Sequence, residues 1–230
     1  LERVRDLAWA DVDGDGDPDL ALAALDNNAG RLLLNDGAGD LVQEWEAPVT
    51  WANWVAWGDR DGDGLLDLAV GGGDPASEPV YVFDGIGAAP WLASAASWQT
   101  AGGSHGTSGA WADEDGDGLL DLAVATVSNE ATSVFRSDLA NGLSTTAAWS
   151  STDDDGFDSR ELAWGDISGD GAPELLEATY GASAPVNRSD LLRANTGYAP
   201  LPPTTIDFLP GVGGSLGDVD GDGDLDLLVA

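Results

Sequence analysis

The chain has 230 residues, with 42 Asp and Glu against 8 Lys and Arg, for a net charge of −34. That imbalance argues against nucleic-acid phosphates and anionic membrane surfaces as partners, since both need a basic face. Ten tryptophans and 43% apolar residues are nevertheless too many for a solvated acidic chain, so the sequence can bury a core. Cysteine is absent, which excludes disulfides and thiolate metal sites. No apolar run approaches the ~18 residues that would span a bilayer, so no membrane insertion is expected. No basic stretch with a following apolar run opens the chain, and Met is absent, so it reads as a mature or excised segment of a longer precursor.

Five segments align without gaps around a short acidic loop: LAWADVDGDGDPDLALA from Leu7, VAWGDRDGDGLLDLAVG from Val55, AWADEDGDGLLDLAV from Ala110, LAWGDISGDGAPELLEA from Leu162 and SLGDVDGDGDLDLLVA from Ser215. The first Asp of each loop falls at 11, 59, 113, 166 and 218, giving steps of 48, 54, 53 and 52 residues. Such a period is the mark of a repeat architecture.

In chain order, each repeat opens with a short apolar strand, such as Leu7–Ala10 or Val55–Trp57, that leads into the loop. A second apolar stretch leaves it, at Leu20–Leu25, Leu68–Val70, Leu122–Val127 and Leu227–Ala230. The first of these is Ala- and Leu-rich enough to pass for helix. Its counterparts carry Val70, Val124, Val127 and the triplet Gly71–Gly73, which favour strand, and all are short for a helix. A third strand is expected at Arg31–Leu34, Val80–Phe83, Thr132–Phe135 and Leu191–Arg193. Turn chemistry follows it at Asn35-Asp36-Gly37, Asp84-Gly85, Asn141-Gly142 and Asn195-Thr196-Gly197. A fourth strand holds Trp45, Trp98 and Trp149. Four strands per ~50 residues matches a β-propeller blade. The expected fold is therefore all-β, a propeller of four-stranded antiparallel blades in one repeat domain spanning 1–230. The blades fall near 1–50, 51–104, 105–156 and 157–209, with a partial blade at 210–230, about 4.5 in all. Residues 1–6 are too few to complete the last blade. A larger ring, the remainder of a longer propeller chain, or a homo-oligomer that covers the exposed edge is expected.

The loop reads D-x-D-x-D-G-x-x-D. Carboxylates at positions 1, 3, 5 and 9 can curl onto one cation, the Gly at position 6 permits the sharp turn, and position 7 can offer its carbonyl. Six or seven oxygens at ~2.4 Å suit Ca²⁺ better than Mg²⁺, which keeps its waters. One His and no Cys cannot supply five zinc sites. Of the 42 acidic residues, 22 lie in the five loops, so five Ca²⁺ ions, carrying ten positive charges, would move the net charge from −34 to −24. An EF-hand also begins this way but needs Glu at position 12 and flanking helices. Position 12 here is Leu22, Val70, Val124, Glu177 or Val229, so that chemistry is rejected. The calcium-binding β-helix nonapeptide is also absent.

The motif D-x-D-x-D-G-x-x-D-L-x-V, followed by a turn such as Asn35-Asp36-Gly37-Ala38-Gly39, resembles the FG-GAP/VCBS repeat. That family includes the integrin α-subunit propeller and many bacterial surface proteins, and the resemblance covers essentially the whole chain. It implies Ca²⁺ in the hairpin between the first two strands of each blade, in a ring of about seven blades. Carried over by position, the first site is Asp11, Asp13, Asp15 and Asp19, with the Asp17 carbonyl. The second is Asp59, Asp61, Asp63 and Asp67 with the Leu65 carbonyl, and the third Asp113, Asp115, Asp117 and Asp121 with that of Leu119. The fifth is Asp218, Asp220, Asp222 and Asp226 with the Asp224 carbonyl. The fourth departs: Asp166 and Asp170 remain, with the Ala172 carbonyl, but Ser168 replaces an Asp and Glu174 is one methylene longer, so weaker binding is expected there. The Phe-Gly…Gly-Ala-Pro signature of the integrin form is missing, which places the chain nearer the bacterial VCBS type.

Trp9, Trp57, Trp111 and Trp164 each stand two residues before a loop, with Leu216 in the fifth copy, and are expected to pack between blades. Trp51, Trp54 and Trp91 break the repeat and are the residues to consider for stacking a sugar or partner. His105, beside Ser104 and Ser108, lacks any nucleophile elbow or oxyanion hole and reads as a loop residue. Asp153–Asp155 with Asp158 reads as a solvated connection, and Asn187-Arg188-Ser189 as a chance match to a glycosylation acceptor. The functional expectation is a non-catalytic calcium-binding propeller, extracellular or at the cell surface, that scaffolds binding or adhesion to a protein or glycan ligand. The rival readings are a lectin, part of a propeller enzyme whose catalytic groups lie elsewhere, and a self-assembling architectural repeat.

Overall fold

A computed structural model describes residues 3–24, 29–49, 51–72, 78–101, 106–127, 130–151, 157–181, 189–193, 199–200, 214–217 and 226–229. Every regular element is a strand. The first antiparallel sheet runs β1 (Val4–Ala10), β2 (Asp19–Ala24), β3 (Gly30–Asn35) and β4 (Leu41–Glu46), in that spatial order. The second runs β5 (Ala52–Gly58), β6 (Asp67–Gly72), β7 (Val80–Phe83) and β8 (Trp98–Gln99). The third begins with β9 (Gly106–Ala112), β10 (Asp121–Thr126) and β11 (Ser133–Phe135). A small hairpin of β12 (Ser137–Asp138) and β13 (Gly142–Leu143) precedes its outer strand β14 (Trp149–Ser150). The fourth contains β15 (Phe157–Gly165), β16 (Glu174–Gly181), β17 (Ser189–Arg193) and β18 (Ala199–Pro200). A two-stranded hairpin of β19 (Gly214–Gly217) and β20 (Asp226–Val229) follows.

The four-strand repeat expected from sequence is thus present, and the Leu20 stretch is strand. Its all-apolar look has a direct cause. The second strand of each of the first three sheets is buried along its whole length, so both faces are apolar and no alternation shows. Trp45, Trp98 and Trp149 lie on the fourth strands, as expected.

The chain divides into two compact units, 1–106 and 107–230. In the first, Ala21 and Ala23 of β2 present small side chains to Val55, Leu68, Val70 and Phe83 of the second sheet. Trp45 closes this core edge-on to Phe83 at 4.9 Å and donates its indole N–H to the Ala93 carbonyl. In the second unit, Ala123, Ala125 and Val134 pack with Leu162 and Leu175. The fourth repeat departs at Glu177, which is buried where its counterparts are Leu22, Val70 and Val124. The hydroxyls of Thr132 and Ser159 both donate to its carboxylate, which satisfies a charge that is otherwise costly to bury.

The repeated tryptophans differ in their surroundings. Trp57 and Trp164 are half-buried and each donates its indole N–H to a carbonyl of the preceding sheet, Ala8 and Ala110 respectively, at 3.2 Å. Trp111 is half-buried. Trp9 is 57% exposed, because no sheet covers that side of β1 among the described residues. His105, Asp153–Asp155 and Asn187 lie outside the described residues.

Trp54 is buried over Gly71, where an added Cβ would stand only 1.8 Å from its indole nitrogen. Gly71→Ala should therefore cost about 1–3 kcal/mol by overpacking, read as a lower midpoint in urea at an unchanged slope.

Candidate metal centres

Each acidic loop joins the first strand of a sheet to the second, and four of the five are described. All four share one hydrogen-bond frame. The N–H of position 6 donates to the position-1 carboxylate: Gly16 to Asp11 (3.1 Å), Gly64 to Asp59 (3.0 Å), Gly118 to Asp113 (2.9 Å) and Gly171 to Asp166 (2.8 Å). The N–H of position 7 donates to the position-5 carboxylate: Asp17 to Asp15, Leu65 to Asp63, Leu119 to Asp117 and Ala172 to Asp170, at 2.8–3.1 Å. These bonds draw the chain around its own acid groups, so the curl needs no contact from elsewhere in the fold.

The curl depends on a feature the motif reading passed over. Position 4, written as x, is Gly in every copy, and both position 4 and position 6 adopt positive φ. The values are 75° and 95° at Gly14 and Gly16, 72° and 87° at Gly62 and Gly64, 78° and 91° at Gly116 and Gly118, and 70° and 89° at Gly169 and Gly171. Side-chain-bearing residues rarely adopt either conformation. The invariance of position 4 across five copies was the available signal.

Position 9 has a second role that spacing alone did not show. Asp19, Asp67 and Asp121 are buried at the start of the second strand, and each uses its two oxygens on two different segments. One accepts the N–H of loop position 2: Val12 (2.9 Å), Arg60 (3.1 Å) and Glu114 (3.1 Å). The other accepts an N–H just beyond or at the end of the third strand: Asn35 (2.9 Å), Gly85 (2.8 Å) and Ser137 (2.8 Å). Glu174 of the fourth repeat is buried too. Its longer arm accepts the N–H groups of Ile167 and Ser168 and the Ser168 hydroxyl at 2.8–3.0 Å, so here the serine that replaces an Asp binds the glutamate itself. Burial pushes the Asp67 and Asp121 carboxyls up to about 6, against the backbone N–H groups that hold them down. At Asp13, burial again leads, joined by repulsion from Asp15, Asp19 and Asp11, and its carboxyl is raised.

Two ion pairs brace the second and third loops with opposite polarity. In the second repeat the position-2 residue is Arg60, paired to Asp84 beyond β7 at 2.7 Å. In the third, position 2 is the buried Glu114, paired to Arg136 beyond β11 by two bonds of 2.7 and 2.9 Å. The first repeat fills the equivalent places with Val12 and Leu34, half-buried against the core.

The geometry permits a direct fit test. Two oxygens on one Ca²⁺ at ~2.4 Å can lie at most ~4.8 Å apart. In all four described loops three carboxylates offer oxygens within 4.8 Å of one another. They are Asp11, Asp13 and Asp15; Asp59, Asp61 and Asp63; Asp113, Asp115 and Asp121; and Asp166, Asp170 and Glu174. The all-oxygen donor set suits a hard cation. Of the expected sets, Asp19, Asp67 and Asp117 stand outside these closest trios, each held by the backbone bonds above. The Asp218 loop, with Asp220, Asp222 and Asp224, lies outside the described residues; of Asp226 only the strand is described.

The three aromatic residues singled out from sequence differ in burial and backbone conformation. Trp54 is buried, while Trp51 and Trp91 are half-buried at positive φ of 66° and 69°. Trp91 packs against the core of the first unit.

A family model described as FG-GAP-like repeat matches residues 11–70 and 59–124. Among solved structures, the biofilm matrix protein Bap1 of V. cholerae is 17% identical, with a TM-score of 0.56 over 99% of this chain. The chain spans 35% of the length of that Bap1 chain. BBS1N, solved in complex with ARL6DN and soaked with lead, is 15% identical, with a TM-score of 0.50 over 97% of this chain and 75% of its own. Both similarities concern the fold. No curated protein matches the sequence.

Two outcomes follow from this geometry. An added Cβ at Gly62 would meet nothing within 4 Å, so Gly62→Ala should cost only the left-handed backbone strain, about 1 kcal/mol, and Gly62→Asn less, as read by thermal melts. The second concerns acid. Folded carboxyls near 6 stand above the ~3.9 of an unfolded Asp, so between those values the folded state holds more protons. Their unfavourable contribution at neutral pH is relieved as the pH falls through about 6. Chelator-treated protein should therefore melt higher at pH ~5 than at pH ~7.5.

Proposed function

This chain belongs to the FG-GAP-like repeat proteins, and on that premise we propose a calcium-stabilised β-propeller segment that works outside the cell as a non-catalytic scaffold for binding or adhesion. The carrying observation is the recurrence, in four loops, of three carboxylates within reach of one ion inside an identical backbone frame. Asp11, Asp13 and Asp15 would hold the first ion, with the trios of the other loops holding theirs, and Ca²⁺ would supply the positive charge that lets these groups share one place. The role of the ion is structural: it offsets like-charge repulsion and fixes the hairpin between the first two strands. The Asp166 loop, with two aspartates and a glutamate already engaged by Ser168, would bind more weakly.

The energetics favour a calcium-rich compartment. A site of Kd ~0.1 mM at ~2 mM free Ca²⁺ contributes about 1.8 kcal/mol, and five independent sites would contribute about 9 kcal/mol. That sum is comparable to the entire stability of many domains. Cytosolic Ca²⁺ would leave such sites empty. A biofilm matrix protein among the structural neighbours agrees with an extracellular setting, and no helix among the described residues is long and apolar enough to cross a membrane. The ligand, a protein or glycan at the cell surface, would be met by the exposed scaffold rather than by the ion loops.

Calcium titration by calorimetry on chelator-stripped protein, with melts in Ca²⁺ and Mg²⁺, tests the reading. Four or five sites and a melting point that climbs with Ca²⁺ alone are expected. Asp61→Asn with Asp63→Asn should remove one site and leave the others. No heat and an unchanged melt would overturn the proposal.

A further inference from the structure

The second and third acidic loops are the same nine residues except at position 2, DRDGDGLLD from Asp59 against DEDGDGLLD from Asp113. Counted along the loop, the third is the more acidic, and charge alone would give it the stronger hold on a cation. Pairing across the sheet cancels that difference. Arg60 is paired with Asp84 at 2.7 Å, and Glu114 with Arg136 by bonds of 2.7 and 2.9 Å, so each loop together with its brace carries the same net charge. What distinguishes the two loops is where the arginine lies.

In the second loop Arg60 pairs with Asp84 and, at 3.7 Å, with Asp67, and neither belongs to the trio of Asp59, Asp61 and Asp63. In the third loop the arginine comes from just beyond β11, and the Nε of Arg136 stands 3.5 Å from Asp115, a member of the trio. The one proton on that Nε is donated to the buried Glu114, so the Asp115 contact is electrostatic and not a hydrogen bond. An ion can displace it while the two bonds to Glu114 keep the guanidinium anchored. The third trio also takes Asp121 where the second takes position 5, and Asp121 accepts the N–H of Ser137, the residue after Arg136. The gathered acids of the third loop thus lie on the arginine's side.

We propose that Arg136 is the resident counter-cation of the third loop: it holds Asp115 while the loop is without an ion and yields it when calcium binds, so the third loop binds calcium more weakly than its near-identical second copy. The inference rests on the ion reading proposed above and adds an order of filling to it. An ion pair between partly exposed side chains, here 41% and 30% exposed, supports a difference of about two- to fivefold. The same contact offsets like-charge repulsion among the acids when calcium is scarce, so the third hairpin depends on the ion less than the second does.

Calcium titration of the chelator-treated full chain, followed by NMR at the Gly64 and Gly118 amides, provides the test. These are the N–H groups bonded to Asp59 and Asp113, one reporter in each loop. Gly64 should respond at the lower midpoint, and Gly118 at calcium about two- to fivefold higher. Glu114→Gln with Arg136→Gln removes the pair without changing the net charge. It should bring the Gly118 midpoint down by a similar factor, leave that of Gly64 unmoved and enlarge the melting shift between chelator and calcium. Glu114→Gln alone turns Arg136 toward Asp115 and should move the Gly118 midpoint up, a second reading that holds even where the double variant does not fold. A wild-type Gly118 midpoint at or below that of Gly64 overturns the proposal, as does a double variant in which it stays or rises. Silence at both amides overturns the ion reading itself and this inference with it.

Discussion

The carboxylate at the ninth loop position is the joint on which each of the first three repeats turns. One of its oxygens holds the start of the acidic loop and the other holds an N–H at or just beyond the end of the third strand, in Asp19, Asp67 and Asp121 alike. A buried charge must be fully hydrogen-bonded to be tolerated, and two backbone donors from different segments meet that demand only when loop, second strand and third strand are all in place. The acid that looks like a metal ligand in the sequence is therefore also what ties the loop to the body of its sheet.

This arrangement separates two tasks within nine residues. Positions 1 and 5 are shaped locally by N–H groups of the same loop, so their acid groups gather without help from the core. Position 9 is shaped by the core and transmits the loop's position to the sheet. A cation held by the first group would thus act on strand pairing through the second. In the third repeat the division blurs, because Asp121 also belongs to the gathered acid trio, and in the fourth Glu174 also reaches back to Ile167 and Ser168 inside the loop.

Much of this was legible in the residues. The spacing of the loops and the tryptophans of the fourth strands located the four-stranded sheets, and alternating aspartates located four gathered acid sites. What escaped was long-range or written in an undervalued letter. Position 4 looked variable only because the motif was written so; the left-handed backbone makes its glycine necessary. The bond from Asp67 to the Gly85 N–H joins residues 18 apart, and no local pattern announces it. Trp9 shares its motif position with Trp57 and Trp164, yet exposure depends on a neighbouring sheet rather than on that position. Glu177 stood out as the one acid at position 12, but its meaning appeared only with the hydroxyls of Ser159 on β15 and Thr132 just before β11.

The reversed ion pairs bear on how such a chain keeps its repeats distinct. Tandem copies this alike invite unequal recombination that fuses the front of one repeat to the back of the next. Joining the Arg60 half of the second repeat to the Arg136 half of the third would set two guanidiniums against each other beside the loop. The reciprocal fusion would place Glu114 against Asp84. Either product puts like charges where the fold sets a buried charge beside its opposite, a fault that rearrangement elsewhere in the sheet does not cure. The alternation of sign thus works as a parity check, under which whole repeats can be lost or gained but hybrids of these two cannot fold quietly.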